Sequence, residues 1–300
     1  MKIAIQGLGR MGMQIAERLS LEGFTVIAHN RSPEPMETAA GFGAITAQTK
    51  LDVLNAFEGE HPLVWIMLPA DIVEAHIREW LEILPQGSVI IDGGNSDFRK
   101  TRSHAELVQA AGSEFVDVGT SGGIMGFENG FSMMVGGSEN GFRALEPALT
   151  SLAQPHGSYH YFGPSGAGHY VKMVHNAIEY GMMESLAEGY RMLKEGAYEH
   201  LDLAAAGDVW QRGSIVNSSL NMLTTQALHE NPELDGIEGF VAESGEARWT
   251  LEYAKEKNIP LPAIQAAFDV RLASQAGERT FATKLLAAMR NKFGGHNLNS

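Results

Sequence analysis

The stretch GHYVKMVHNAIEYG (168–181) sets Lys172, Asn176 and Glu179 at spacings of four and three residues. At 100° per residue a helix brings these three onto one face, with His175 beside them and Tyr180 flanking the line. A lysine on such a face can serve as a general base if desolvation or a neighbouring cation lets it lose its proton near neutral pH. The plain alternative is a Glu–Lys pair on a wet helix, although seven residues exceed the i,i+4 spacing of a helical salt bridge. Val171, Val174, Ile178 and Met182 form a separate stripe, which is expected to pack inward.

A second constellation opens the chain. Gly7-Leu8-Gly9-Arg10-Met11-Gly12 follows the apolar run KIAIQ and starts a helical pattern. In that context the first glycine makes a tight turn, the second lets backbone approach a pyrophosphate, and the third permits close helix–strand packing. The helix N-terminus offers free N–H groups to phosphate. The second strand ends in Asn30-Arg31-Ser32, with no carboxylate to hold a ribose 2′-hydroxyl. Arg31 can instead pair with a 2′-phosphate and Ser32 can donate to it, so NADP is favoured and NAD remains possible. The loops Met67-Leu68-Pro69-Ala70 and Asp92-Gly93-Gly94-Asn95-Ser96 fall at strand C-terminal ends, where open α/β sheets bind ligands. Asn95 is the polar candidate for the nicotinamide side.

Thr120-Ser121-Gly122-Gly123 closes another strand; it is either a plain turn or a place where a carboxylate reaches backbone N–H groups. Arg248, Arg271 and Arg290, with His296 beyond them, are the cations of the second half. Each alone reads as a surface residue. A chain with net charge −14 needs such a local cluster to hold an anion, because its general field repels one. The same charge argues against nucleic acid or an anionic membrane as partner. With no cysteine, disulfides, thiolate catalysis and Cys-based zinc sites are excluded. No run is long and apolar enough for a membrane helix or a signal peptide, so a cytoplasmic location is expected.

The elements that must position these residues alternate through the first half. Apolar runs at 2–6, 25–29, 63–68, 88–92, 114–118, 131–135 and 159–163 are separated by amphipathic helical stretches. Near-continuous apolar strands suit a parallel sheet buried on both faces, so residues 1–165 read as a doubly wound, Rossmann-type α/β domain. Residues 166–300 show helical patterns only: one long helix from His169 to about Glu195, then others including one over 204–228. This half reads as an all-α domain for substrate binding and oligomerisation. With no flexible linker, a ligand cleft between the two is expected.

Together GLGRMG, IIDGGNS, GTSGGIMGFENG, GHYVKMVHNAIEYG, ESGEARWT and RNKFGGH resemble the decarboxylating 6-phosphogluconate dehydrogenases, in the short form with a single helical domain. Related β-hydroxyacid dehydrogenases share the glycine loop, the SGG turn and the lysine, but usually lack the HNxIEY continuation. The resemblance implies oxidation and decarboxylation of 6-phosphogluconate to ribulose 5-phosphate without a metal. Lys172 would be the base, Glu179 the acid that protonates the enediol, and Asn176 and His175 would orient hydroxyls. Ser121, Gly122 and Gly123 would hold the carboxylate, and Tyr180, Arg248 and Arg271 the phosphate. Arg290 and His296 would reach the neighbouring subunit's site, which makes the protein a homo-oligomer. The alternatives are a non-decarboxylating dehydrogenase of a small 3-hydroxy acid and a non-catalytic NADP-binding regulator.

Overall fold

The computed structural model describes residues 1–298. In chain order it begins β1 (Lys2–Gln6), α1 (Arg10–Leu21), β2 (Thr25–His29), α2 (Pro33–Gly41), β3 (Ile45–Ala47) and α3 (Lys50–Ala56). There follow β4 (Leu63–Ile66), α4 (Val73–Leu81), β5 (Val89–Asp92), α5 (Phe98–Ala110) and β6 (Glu114–Ser121). A short α6 (Gly126–Asn129), β7 (Ser132–Gly137), α7 (Glu139–Ala153) and β8 (Ser158–Tyr161) complete the sheet. The rest is helical: α8 (Ala167–Glu195), α9 (Leu203–Gln211), α10 (Ser219–Glu230), α11 (Glu246–Glu256), α12 (Pro262–Gln275) and α13 (Phe281–Gly294). By internal contact the chain divides into two compact units, Met1–Met173 and a second from Val174 onward.

The eight strands lie in the order β3-β2-β1-β4-β5-β6-β7-β8. Every neighbouring pair is parallel except β6 and β7. That exception has a simple cause: a parallel return needs a crossover of a dozen or more residues, and the link holding Gly122–Gly123 and α6 is shorter. Alternation along the strands explains why the apolar runs are nearly unbroken. Ile3, Ile5, Trp65 and Ile91 feed the core on one face, while Ala4, Val64, Ile66 and Ile90 feed the core on the other. β3 was invisible in the sequence, because it is three residues long and exposes Ile45 and Thr46 at the sheet edge.

The start of α8 is held onto this sheet by a buried carboxylate. Asp117, on β6, accepts hydrogen bonds from Gly166 N (2.8 Å) and His169 N (2.9 Å), two amides that open the helix and have no intrahelical acceptor. Burial pushes the Asp117 carboxyl up, against the downward pull of His169 and the two amides. Glycines allow the close approach: a side chain on Gly168 would strike the backbone of Met134, and one on Gly136 would sit 2.7 Å from Gly168 N.

In the second unit Met183, Ala187 and Tyr190 of α8 join Leu228, Leu285, Leu286 and Met289 in a core. Asn221 ties three helices, accepting from the Tyr190 hydroxyl and donating to Gly207 O and Gln211 Oε1. The single helix expected over 204–228 is two helices, broken after Gln211 where Gly213 takes a φ of +84°. The apolar stripe of α8 also differs from expectation. Ile178 is 51% and Met182 46% exposed, and the buried side is Met173, Ala177, Tyr180, Met183 and Ala187. Both stripes fit a helical period; the buried one is the face that meets the other helices of this chain.

Asp117→Ala should lower the unfolding free energy by about 2 kcal/mol, since two charge-assisted caps are lost. Asp117→Asn, which keeps one acceptor, should lose roughly half as much. Denaturant unfolding of the two variants reads the difference.

Candidate functional site

The glycine turn is built for an approaching backbone. Gly7 takes a φ of +97°, and its N–H donates to His29 O at 2.9 Å. A side chain on Gly12 would collide with Gly7 O, whereas nothing lies within 4 Å of one placed on Gly9. α1 therefore starts with open space over Gly9, no capping side chain and no acid in its first turn. That is the arrangement a pyrophosphate needs. Asn30 is already engaged: its Oδ1 accepts from Leu8 N (3.1 Å) and its amide donates to Ser32 O (3.2 Å). It braces the turn rather than offering itself to a ribose. Arg31 is exposed, and the Ser32 side chain does not cap α2.

Leu68, Pro69 and Ala70 follow β4, and the Gly93–Ser96 turn follows β5 beside them. A side chain on Gly94 would lie 2.7 Å from Leu68 O. Asp92 shapes the turn by accepting from Gly94 N (3.0 Å) and Ser96 Oγ (2.9 Å), which leaves Asn95 exposed at its tip. Burial would raise the Asp92 carboxyl, but His169, His104, Ser96 and the Gly94 amide outweigh it and hold Asp92 below its ordinary value.

Lys172 is only 7% exposed. Its stem crosses β6 at Gly119, where any side chain would collide with Lys172 Cβ. Gly119 is followed by Thr120 and Ser121, and then by Gly122 and Gly123 at φ +131° and +54°, a turn that glycine alone makes without strain. Lysine and SGG turn thus share one end of β6.

One turn further along α8, in the second unit, Asn176 lies between two partners. Its amide donates to Glu246 Oε1 at 2.7 Å, and its Oδ1 lies 2.9 Å from His175 Nδ1. Glu246, in the first turn of α11, is buried, and its other oxygen has no partner among the described residues. The sequence reading passed over Glu246, although it stands inside ESGEARWT two residues before Arg248. Glu179 is half-buried.

Tyr180, one turn beyond Asn176, anchors the next group of side chains. Its hydroxyl accepts from Ser244 N and meets Ser244 Oγ, both at 3.2 Å. The Arg271 guanidinium carbon lies 3.3 Å from the centre of the Tyr180 ring. Arg271 also donates to Ala242 O and contacts Met183 Sδ. Arg290 is buried within electrostatic reach of Tyr180, Glu179 and Glu246. Burial lowers the Arg271 pKa to about 10, which leaves it charged at neutral pH. Neither arginine enters an ion pair recorded among the described residues, although burying an uncompensated cation is costly.

Three further residues singled out in the sequence are placed as follows. Arg248 is half-exposed, 5.4 Å from the Phe268 ring centre, and ion-paired with Glu243 at 2.5 Å. Arg290 is buried on α13, a core helix of the second unit. His296 folds back on the end of α13: its carbonyl accepts from Asn291 and its ring packs edge-on to Phe293.

An open, mostly parallel sheet with a glycine turn at the end of its first strand, followed by an all-α unit, outlines a nicotinamide-dependent dehydrogenase. Residues 2–163 match the family model described as the NAD binding domain of 6-phosphogluconate dehydrogenase, and 168–299 match that of its C-terminal domain. A Haloferax volcanii protein named 6-phosphogluconate dehydrogenase, NAD(+)-dependent, decarboxylating, is 36% identical over 99% of this chain and 98% of its own length. A Synechocystis protein named 6-phosphogluconate dehydrogenase, decarboxylating, is 33% identical over 96% of this chain and 64% of its own. A solved Plasmodium falciparum 6-phosphogluconate dehydrogenase superposes with a TM-score of 0.81 at 29% identity, over 96% of this chain and 70% of that one. The chain belongs to the 6-phosphogluconate dehydrogenase family, and it is an oxidoreductase of that family.

Gly119→Ala should push the Lys172 stem off β6 and cut kcat by about 100-fold, the scale of a 1 Å misplacement. Cofactor affinity, measured by fluorescence titration, should stay within about two-fold, because the glycine turn lies on other strands.

Proposed function

We propose that this protein oxidatively decarboxylates 6-phospho-D-gluconate to D-ribulose 5-phosphate and CO2, with NADP favoured and NAD usable. The observation that carries the substrate is the pair of buried arginines, Arg271 and Arg290, without a carboxylate ion pair among the described residues. A dianionic phosphate supplies the missing countercharge through paired hydrogen bonds. A small unphosphorylated hydroxy acid brings only one negative charge to the pair.

The residues at the glycine turn fit a dinucleotide: Gly9 leaves open space, and the N-terminus of α1 has no competing acid or cap. Arg31 and Ser32, with no acid beside them, favour the 2′-phosphate. When bound, the nicotinamide supplies the acceptor for the hydrogen and two electrons that leave C3. Lys172 takes the proton of the 3-hydroxyl as C3 becomes a ketone. The protonated lysine then holds the charge that develops on that oxygen while C1 leaves as CO2. Glu179 returns a proton to the enediol carbon that becomes C1 of the product. Asn176, braced by Glu246, and His175 orient hydroxyls, and Ser121 to Gly123 receive the carboxylate. Tyr180, Arg271 and Arg290 hold the phosphate, and Arg248 joins them by exchanging Glu243 for it.

The assay follows reduced cofactor and CO2 together, using 6-phosphogluconate and unphosphorylated gluconate with NADP and with NAD. The expected result is equal amounts of both products, NADP ahead of NAD in kcat/KM, and gluconate slower by about 100-fold, the worth of about 3 kcal/mol of charged hydrogen bonds. Lys172→Met should nearly abolish turnover and leave cofactor binding intact. Cofactor reduction without CO2 would replace this reading with that of a simple hydroxy-acid dehydrogenase.

We also propose a homo-oligomer. Ile178, Met182 and Met192 form an exposed apolar line on α8, and Val209 and Ile215 are exposed nearby in sequence. A bare apolar line on a soluble helix is best covered by a copy of itself. Sedimentation equilibrium should give a dimer or tetramer, and Ile178→Lys with Met182→Lys should shift it toward monomer.

A further inference from the structure

The site just described contains a carboxyl group that the reaction does not use. Glu184 is on α8, one turn beyond Tyr180, and only 7% exposed. None of the hydrogen bonds or ion pairs recorded among the described residues involves it. The Arg271 guanidinium lies against this turn, 3.3 Å from the Tyr180 ring centre and 3.6 Å from Met183 Sδ. Arg271 and Glu184 act on each other electrostatically, and Glu188 acts on Glu184 from the next turn. The other charges around Arg271 are Arg290 and Glu179, and Arg290 in turn meets Glu246.

We propose that Glu184 is the resident countercharge of Arg271, and that an anion binding at Arg271 takes over this role and is bound together with one proton on Glu184. The inference rests on the reading of Arg271 as an anion site. In the empty site the ionised carboxylate offsets part of the guanidinium charge in a medium that penalises both. When a doubly charged group arrives, three negative charges would share one buried region with two arginines. The Glu184 carboxylate then takes a proton from solvent as RCOO⁻ + H⁺ → RCOOH, and no other group need change. Glu184 is poised for this: burial pushes it up to about 7, Glu188 adds to the rise, and Arg271 works against it. The neighbouring anion disfavours its charged form further. Ligand binding therefore weakens as pH rises through the range above 7.

The test is calorimetric titration of wild type and Glu184→Gln at pH 7.5, in two buffers of different ionisation enthalpy. Two anions are used: 6-phosphogluconate, and inorganic sulfate, whose charge is constant in this range. Wild type should take up about half a proton per site more than the variant with both anions. Its Kd should also climb more steeply with pH between 7 and 8.5. Equal proton uptake in the two proteins overturns the inference, as does failure of either anion to bind. Turnover of 6-phosphogluconate by the same wild-type sample judges the proposed function separately.

Thermal unfolding checks that the variant folds. A carboxyl whose folded pKa is raised binds more protons folded than unfolded, so its contribution to stability falls as pH climbs from about 4.5 through 7. Glu184→Gln should melt higher than wild type at pH 8 and close to it at pH 5. Glu184→Met should repeat the lost proton uptake, and a normal uptake by that variant overturns the proposal.

Discussion

The grip of Asp117 on the first amides of α8 is the interaction on which the rest depends. A carboxylate with no exposure is costly to bury, and two short backbone hydrogen bonds compensate it. The same bonds fix where the helix starts on the sheet. Along α8, Lys172 falls within the first two turns, Asn176 and Glu179 in the next two, and Tyr180 beside Glu179.

The glycines of the first unit serve this one purpose from several directions. Gly168 and Gly136 let helix and sheet approach, and Gly119 admits the lysine stem. The Lys172 stem is packed against Gly119, and the residue is only 7% exposed. In the second unit polar groups are braced by each other instead. Glu246 holds Asn176, Ser244 holds the Tyr180 hydroxyl, and the Tyr180 ring carries Arg271. Such chains fix side-chain orientation before any ligand arrives, and that lowers the ordering a ligand must impose.

Much of the architecture was legible because it follows from period and composition. The seven longer strands, the glycine turn and the unbroken run of α8 all carry strong local signals. β3 was missed because three edge residues, two of them exposed, carry no such signal, and the break after Gln211 because one glycine in a helical pattern is ambiguous. The inward face of α8 was misread for a different reason. Two apolar stripes fit the same period, and only the partners of the helix decide between them. Glu246 and Glu184 escaped notice because a glutamate in an amphipathic helix reads as solvated until its burial is known.

By itself the sequence determined what is written in local chemistry: the helical line of Lys172, Asn176 and Glu179, the GxGxxG turn, the absence of an acid after β2, and the family these motifs resemble. The tertiary structure alone decided which groups lose water and which meet. It buried Arg271 and Arg290 without an ion pair among the described residues, and engaged Asn30 with Leu8 and Arg248 with Glu243. The physical reason is that desolvation and pairing depend on distances across the fold, between residues dozens of positions apart, and spacing along the chain does not encode them.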